Sequence, residues 1–342
     1  MNEECVTKTT GRKEPMVNRL FAAIVAAYLL LNGIFLLLDF FHISVSLPVV
    51  LSLIAGELTL LVPTVGYLLL TRTKPAGVSG RWRLPLAAVP LLILLAYCIL
   101  PLITLVNLVS MLIGKENAAA SLLVPIKQLP LWVSLLCISV LPGILEEFIF
   151  RGLIYGAYRR RRVWGAIFVS ALLFGLMHMN LNQFCYAFVM GVMFCLLYEG
   201  TGSILASMLV HAVYNGNSVI LMYWVDTGEL LDAAGGASAD VIQQMAGGAS
   251  MQMAVLMLAV LALLGLAAAG GLYVAIVAIC HRKEQAVLLF GRNAMKKRAA
   301  LENGEQPEEQ AVWEPSGRLW GPFLWGGVIL AVVEILRGVL TL

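Results

Sequence analysis

Three observations predict an all-α, multi-pass transmembrane helical bundle of eight to nine helices. The chain is 60% hydrophobic and 13% charged, whereas soluble domains are nearer half apolar and a quarter charged. Apolar runs recur from end to end, many of them about 18 residues or longer and so able to cross roughly 30 Å of hydrocarbon. Basic residues gather in alternate loops, as they do when a chain crosses a membrane repeatedly. A β-barrel would instead show segments of about ten residues with alternating polarity.

The elements follow from these runs. Residues 1–15 are polar, and the apolar stretch 17–41 is too long for a signal-peptide core, so it reads as a first transmembrane helix. Further spans are expected at 44–71, 84–113, 129–158, 163–179, 182–199, 203–225, 251–280 and 319–341. The 84–113 and 129–158 stretches exceed what a bilayer requires, so they are expected to tilt, to break at Pro101 or Pro142, or to extend into the headgroups. Residues 281–318 begin basic and become rich in Glu, Gln and Pro, the composition of a partly disordered loop. The expected organisation is N-terminal helices over 1–128, a core over 129–224 and an external loop plus helix over 225–280. The polar loop 281–318 and a terminal helix over 319–342 complete it.

Positive charge sets the expected orientation. Lys8, Arg12, Lys13 and Arg19 precede the first span, and Arg72, Lys74, Arg81 and Arg83 follow the second. Arg159 to Arg162 follow the fourth, and Arg282, Lys283 and Arg292 to Arg298 follow the eighth. All lie on one side if the N-terminus is cytoplasmic, whereas the opposite side has Lys115 and Lys127 and a 226–250 loop with no Lys or Arg. The net charge of +3 therefore gives no pointer to nucleic acid, because the basic residues sit at membrane edges. The six cysteines are scattered without a CxxC pair, which argues against a zinc knuckle or a disulfide framework.

Within this apolar chain, Glu146, Glu147 and Arg151 stand on one embedded helix. Ionisable groups in hydrocarbon are costly and mark functional sites. Glu147 and Arg151 share a helix face at i, i+4 and neutralise each other. Glu146 lies about 100° around the helix, leaving its carboxylate free to act as a base. Two of the four histidines, His42 and His281, fall at span ends, while His178 and His211 are embedded. Phe174 shares a face with His178, and Asn215 with His211. By helical rise, Glu146 is roughly 20 Å from Arg159, His178 roughly 22 Å from Val163, and His211 and Asn215 roughly 12–18 Å from Ser203. Three helices thus bring polar groups to a common depth, as an intramembrane active-site cavity requires. Glu57, mid-span in the second run, stands outside this pattern and is read as structural or cavity-lining.

Glu-Glu-x-x-x-Arg at 146–151, Phe-x-x-x-His at 174–178 and His-x-x-x-Asn at 211–215 resemble, in that order, the CPBP family of intramembrane proteases. That family includes type II CAAX prenyl endopeptidases and bacteriocin-processing or immunity-like (Abi) proteins. Gly202 to Ile204 adds to the likeness, which covers about 129–224. The resemblance implies peptide-bond hydrolysis in a membrane. Its catalytic residues would be Glu146, His178, His211 and Asn215, supported by Glu147, Arg151 and Phe174.

In the favoured reading, Glu146 activates water with help from His178, while His211 and Asn215 bind the oxyanion. The alternative makes Glu146, His178 and His211 ligands of a catalytic zinc, giving a metalloprotease. The expected partners are the bilayer and a membrane-embedded or lipid-anchored peptide or protein, in a bacterial cytoplasmic membrane. Two other functions compete: a non-catalytic immunity or scaffold protein, and a proton-coupled transporter. A transporter would show paired broken helices in matching halves, and none is seen. The HExxH and GxGD protease motifs are absent.

Overall fold

The computed structural model of the chain describes residues 16–43, 47–75, 82–114, 126–159, 163–224, 251–282 and 321–340. The 226–250 loop and nearly all of 281–318 lie outside them. Among the described residues eight helices are long and apolar enough to cross a membrane. They are α1 (Met16–Phe40), α2 (Val49–Thr71), α3 (Ala88–Gly114), α4 (Leu131–Tyr158), α6 (Leu181–Thr201), α7 (Ile204–Trp224), α8 (Met251–Ile279) and α9 (Pro322–Leu340). The expected span at 163–179 forms a shorter apolar helix, α5 (Val163–Met177). At about 1.5 Å per residue α5 stops short of a roughly 30 Å core, so the turn after it lies inside the bundle.

Burial ranks the helices. In its most apolar window α4 is 56% buried, whereas α8 is 11% buried. The central group is therefore α4 to α7, with α3 packed on α6 and α7. On one side α1 joins α2 and α9, and on the other α8 lies along α3. Leu256, Leu263 and Leu264 of α8 point away from the bundle, as lipid-facing side chains do.

Helix α4 is not a regular α-helix. It widens to π geometry over Leu136–Val140, returns to α over Leu141–Glu147 and widens again over Phe148–Tyr155. Pro142 has no N–H to offer the carbonyl of Ile138 four residues back. That carbonyl instead accepts the Asn215 side-chain N–H at 3.1 Å, and the Ser139 hydroxyl donates to Ala212 O at 2.6 Å. The expected break at Pro142 is thus a widened turn whose freed groups bind α7. Pro101 leaves α3 continuous. In the second widened stretch, Phe150 O accepts from the Ser170 hydroxyl of α5 at 2.9 Å.

At the end of the bundle marked by Arg159, the buried Glu199 pairs with Arg159 at 2.8 Å and accepts from Tyr155 OH at 2.7 Å. Arg159 is therefore tied into the fold as well as marking an edge. On α9, Glu334 and Arg337 pair at 2.6 Å as their spacing predicts.

Close backbone approach fixes α8 on α3, where a Cβ on Gly265 would overlap the Cys98 carbonyl. Gly265→Ala is expected to lower stability by about 1–3 kcal/mol, the usual penalty for overpacking. Gly271→Ala, with open space around it, serves as the control. Equal melting temperatures of the two variants in detergent would show that this contact does not set the α3–α8 pairing.

Candidate active site

Glu147 is fully buried and sits at the centre of a charge network. Its Oε1 accepts from Arg151 Nη1 at 2.8 Å and from His211 Nδ1 at 3.0 Å. The i, i+4 pair persists although Arg151 lies in the widened second stretch of α4. Arg151, also fully buried, lies over the rings of Phe174 at 4.3 Å and Phe194 at 4.9 Å. Such cation–π contacts strengthen as water is excluded. Gly191 of α6 makes room for the guanidinium, since a Cβ there would lie 2.8 Å from Ala171 Cα and 3.2 Å from Arg151 Nη2.

Glu146 faces the other way. It lines a cavity of about 340 Å³ together with His178, His211, Asn215, Tyr186 and Tyr214. Its side chain keeps 11% exposure, against 0% for Glu147. Two consecutive carboxylates are thus separated by helix geometry into one committed to the core and one presented to a cavity.

The imidazole that approaches Glu146 is His211, whose Nε2 is 3.7 Å from Glu146 Oε2. His178 lines the same cavity and makes no ion-pair contact with Glu146 among the described residues. Because a carboxylate only accepts, the Glu147 bond places a proton on His211 Nδ1 and leaves Nε2 towards Glu146. His178 is oriented in the same manner, by donating from Nδ1 to Phe174 O at 2.9 Å. It follows the end of α5, before Met179 turns the chain with a positive φ of 52° and Asn180 caps α6 by accepting from Gln183 N. The shortness of α5 is therefore what keeps His178 deep.

Phe174 is buried and meets both imidazoles edge-on, at 5.2 Å from His178 and 5.9 Å from His211. Asn215 uses one amide N–H on Ile138 O and retains a second, since the amide carries two donors. Phe194, which stacks on His211 at 5.0 Å and 19°, was not singled out from the sequence. It belongs to no spaced polar motif, and an apolar residue among many carries no sequence signal. Among the described residues, no group of three or more His, Cys, Asp and Glu side chains converges as a metal site. Glu146, His178 and His211 line one cavity without converging as such a group.

The cavity occupies the half of the bundle away from Arg72 and Arg159. Its lining runs from Glu146 and His211 near mid-depth to Ile126, Ser218 and Met222, close to the opposite helix ends.

Breaking a buried ion pair by removing one partner leaves an uncompensated charge, at about 3–5 kcal/mol. Glu147→Ala is therefore expected to destabilise the fold by this order and to lower the folded yield. A Glu147→Ala variant melting at the wild-type temperature in detergent would remove Glu147 from its structural role.

With this geometry in view, residues 128–216 match the family model described as Rce1-like, type II CAAX prenyl endopeptidase Rce1-like. A segment is 32% identical over 111 residues to "Putative membrane peptidase YdiL" of Bacillus subtilis (strain 168), covering 32% of this chain and 45% of that protein. Another is 30% identical over 106 residues to "Membrane-embedded CAAX protease MroQ" of Staphylococcus aureus (strain USA300), covering 29% and 42%. The matches thus span less than half the length of these relatives. No solved structure gives a significant match. The matched segment, 128–216, holds every motif residue from Glu146 to Asn215, so the likeness of this multi-pass helical membrane protein to that family lies in its central helices.

Proposed function

We propose that the chain is an intramembrane endopeptidase that hydrolyses peptide bonds of membrane-associated proteins or peptides with water activated by Glu146. The observation that carries this reading is one cavity lined by Glu146, His178, His211 and Asn215. Behind it, Glu147 holds Arg151 and His211 in place.

In this reaction the Glu146 carboxylate takes a proton from a cavity water, and the resulting hydroxide attacks the scissile carbonyl carbon. The second Asn215 N–H donates to the developing oxyanion, a term often worth a few kcal/mol. His211 joins it as a donor when Nε2 is also protonated. His178, its Nδ1 engaged on Phe174 O, offers Nε2 to the water or to the departing amine. Collapse of the tetrahedral intermediate breaks the C–N bond, and the proton held by Glu146 passes to the amine. Phe174 and Phe194 keep bulk water from Arg151 and Glu147.

The location follows from the charge pattern. With the N-terminus cytoplasmic, as the positive-inside rule places it, the cavity lies in the extracytoplasmic half. Substrates would then be presented from that side of a cell membrane.

Two experiments test the proposal. Glu146→Gln should lower cleavage by about two orders of magnitude or more, the usual range for a general base. Expression and melting temperature should not change. The assay compares membrane-peptide termini in cells carrying wild-type or Glu146→Gln protein, and unaltered termini would remove Glu146 as the base. Loss of activity with a strong chelator and its restoration by zinc would replace the metal-free route. For orientation, Met222→Cys should add labelling over wild type when intact cells meet a membrane-impermeant maleimide. Added labelling only after permeabilisation would reverse the topology.

A further inference from the structure

Glu57 of α2 belongs to none of the three motifs, yet it stands where two cavities meet. An apolar groove of about 510 Å³ runs between α2 and α4, with Leu58, Leu61 and Trp82 on one wall and Leu141, Ile144 and Phe148 on the other. Leu53, Glu57 and Cys137 line both this groove and the polar cavity of Glu146. Among the described residues, Glu57 is the only ionisable side chain common to the two apart from the Cys137 thiol.

The charge around it is one-sided. Among the described residues the cavity lining holds Glu57, Glu146, His178 and His211 but no Lys or Arg. Arg151, the buried cation of the Glu147 network, is engaged by Glu147. Glu57 Oε2 is buried with no hydrogen-bond partner among the described residues. A carboxylate at a junction of low dielectric, facing a cavity lined by no Lys or Arg among the described residues, favours an occupant that brings a cation.

We propose that Glu57 is a specificity-determining residue that receives a Lys or Arg side chain of the substrate. That residue flanks an apolar stretch lying in the α2–α4 groove. The position of the scissile bond at Glu146 rests on the endopeptidase reading; the cation preference at Glu57 does not. The groove walls are almost wholly apolar, so the apolar part of the substrate stays there. The first polar group to leave the groove meets Glu57. A long basic side chain suits this point, because its apolar stem follows the groove while its charged end reaches the carboxylate.

The test uses the purified full chain in nanodiscs and two fluorescent peptides. Each has an apolar segment joined to a polar one and differs only in Lys against norleucine at the junction. Binding is read by anisotropy and cleavage by mass spectrometry, for wild type, Glu57→Gln and Glu57→Ala. Wild type should bind the Lys peptide on the order of 10-fold more tightly, and both variants should bring the ratio close to one. The norleucine affinity and melting temperature should stay at wild-type values. A wild-type ratio near one, a preference that survives Glu57→Gln, or no binding of either peptide would overturn the proposal. Lys-selective binding without cleavage of either peptide would uphold Glu57 and count against the endopeptidase reading. Cleavage of both peptides without a Lys preference would do the reverse.

Discussion

The structure depends on how Glu147 is neutralised. A carboxylate with no exposure in the middle of an apolar bundle is tolerated only with cationic and hydrogen-bonding partners in close contact. Arg151 supplies the charge from one turn away, and His211 supplies an N–H from another helix. Each partner then imposes its own requirement. The guanidinium needs the open space at Gly191 and the faces of Phe174 and Phe194. The imidazole needs α7 to lie close enough to α4, and the Ser139 and Asn215 bonds hold it there. One buried charge therefore constrains α4, α5, α6 and α7 together.

The widened turns of α4 serve the same end. A regular helix satisfies its own carbonyls and offers neighbours little to bind. Where Pro142 withholds an N–H, Ile138 O becomes an acceptor for another helix, and Asn215 takes it. Asn215 thereby gains a fixed orientation while its second N–H is spared. Departures from α geometry commonly accompany functional sites. Here the departure has a chemical cause, since a proline lies four residues after the carbonyl that α7 uses.

Much of the fold was legible because hydrocarbon imposes a strict rule: backbone polar groups must be satisfied internally, so long apolar runs become helices. The Glu147–Arg151 pair was legible because i, i+4 spacing survives even in a widened stretch. The depth of His178 and His211 followed from helical rise. What escaped is what depends on the third dimension. Whether His178 or His211 approaches Glu146 is decided by helix rotation, which sequence spacing does not record. Phe194 and Gly191 act by shape, and each is one apolar or small residue among many. Glu199 sits at the end of its helix and reads as an ordinary interfacial acid. Only packing brings Tyr155 and Arg159 onto it and buries it. Helix α5 ends two residues before its apolar run does, because Met179 turns the chain with positive φ.

The adjacency of Glu146 and Glu147 lets one helix serve both the core and the cavity. Consecutive residues point about 100° apart on a helix, so one can be sealed in the core while the other meets a cavity. Separating the two by a full turn would aim both in the same direction, and both would need a cation. Placed side by side, they divide the work. The sealed carboxylate orients His211 through Nδ1, and the same imidazole turns Nε2 towards the cavity carboxylate at 3.7 Å. His211 is thereby a rigid bridge between the buried charge and the accessible one. In the proposed reaction this bridge fixes where Glu146 can hold a water. A change at Glu147 would then be felt in the chemistry even though Glu147 itself lies outside the cavity lining.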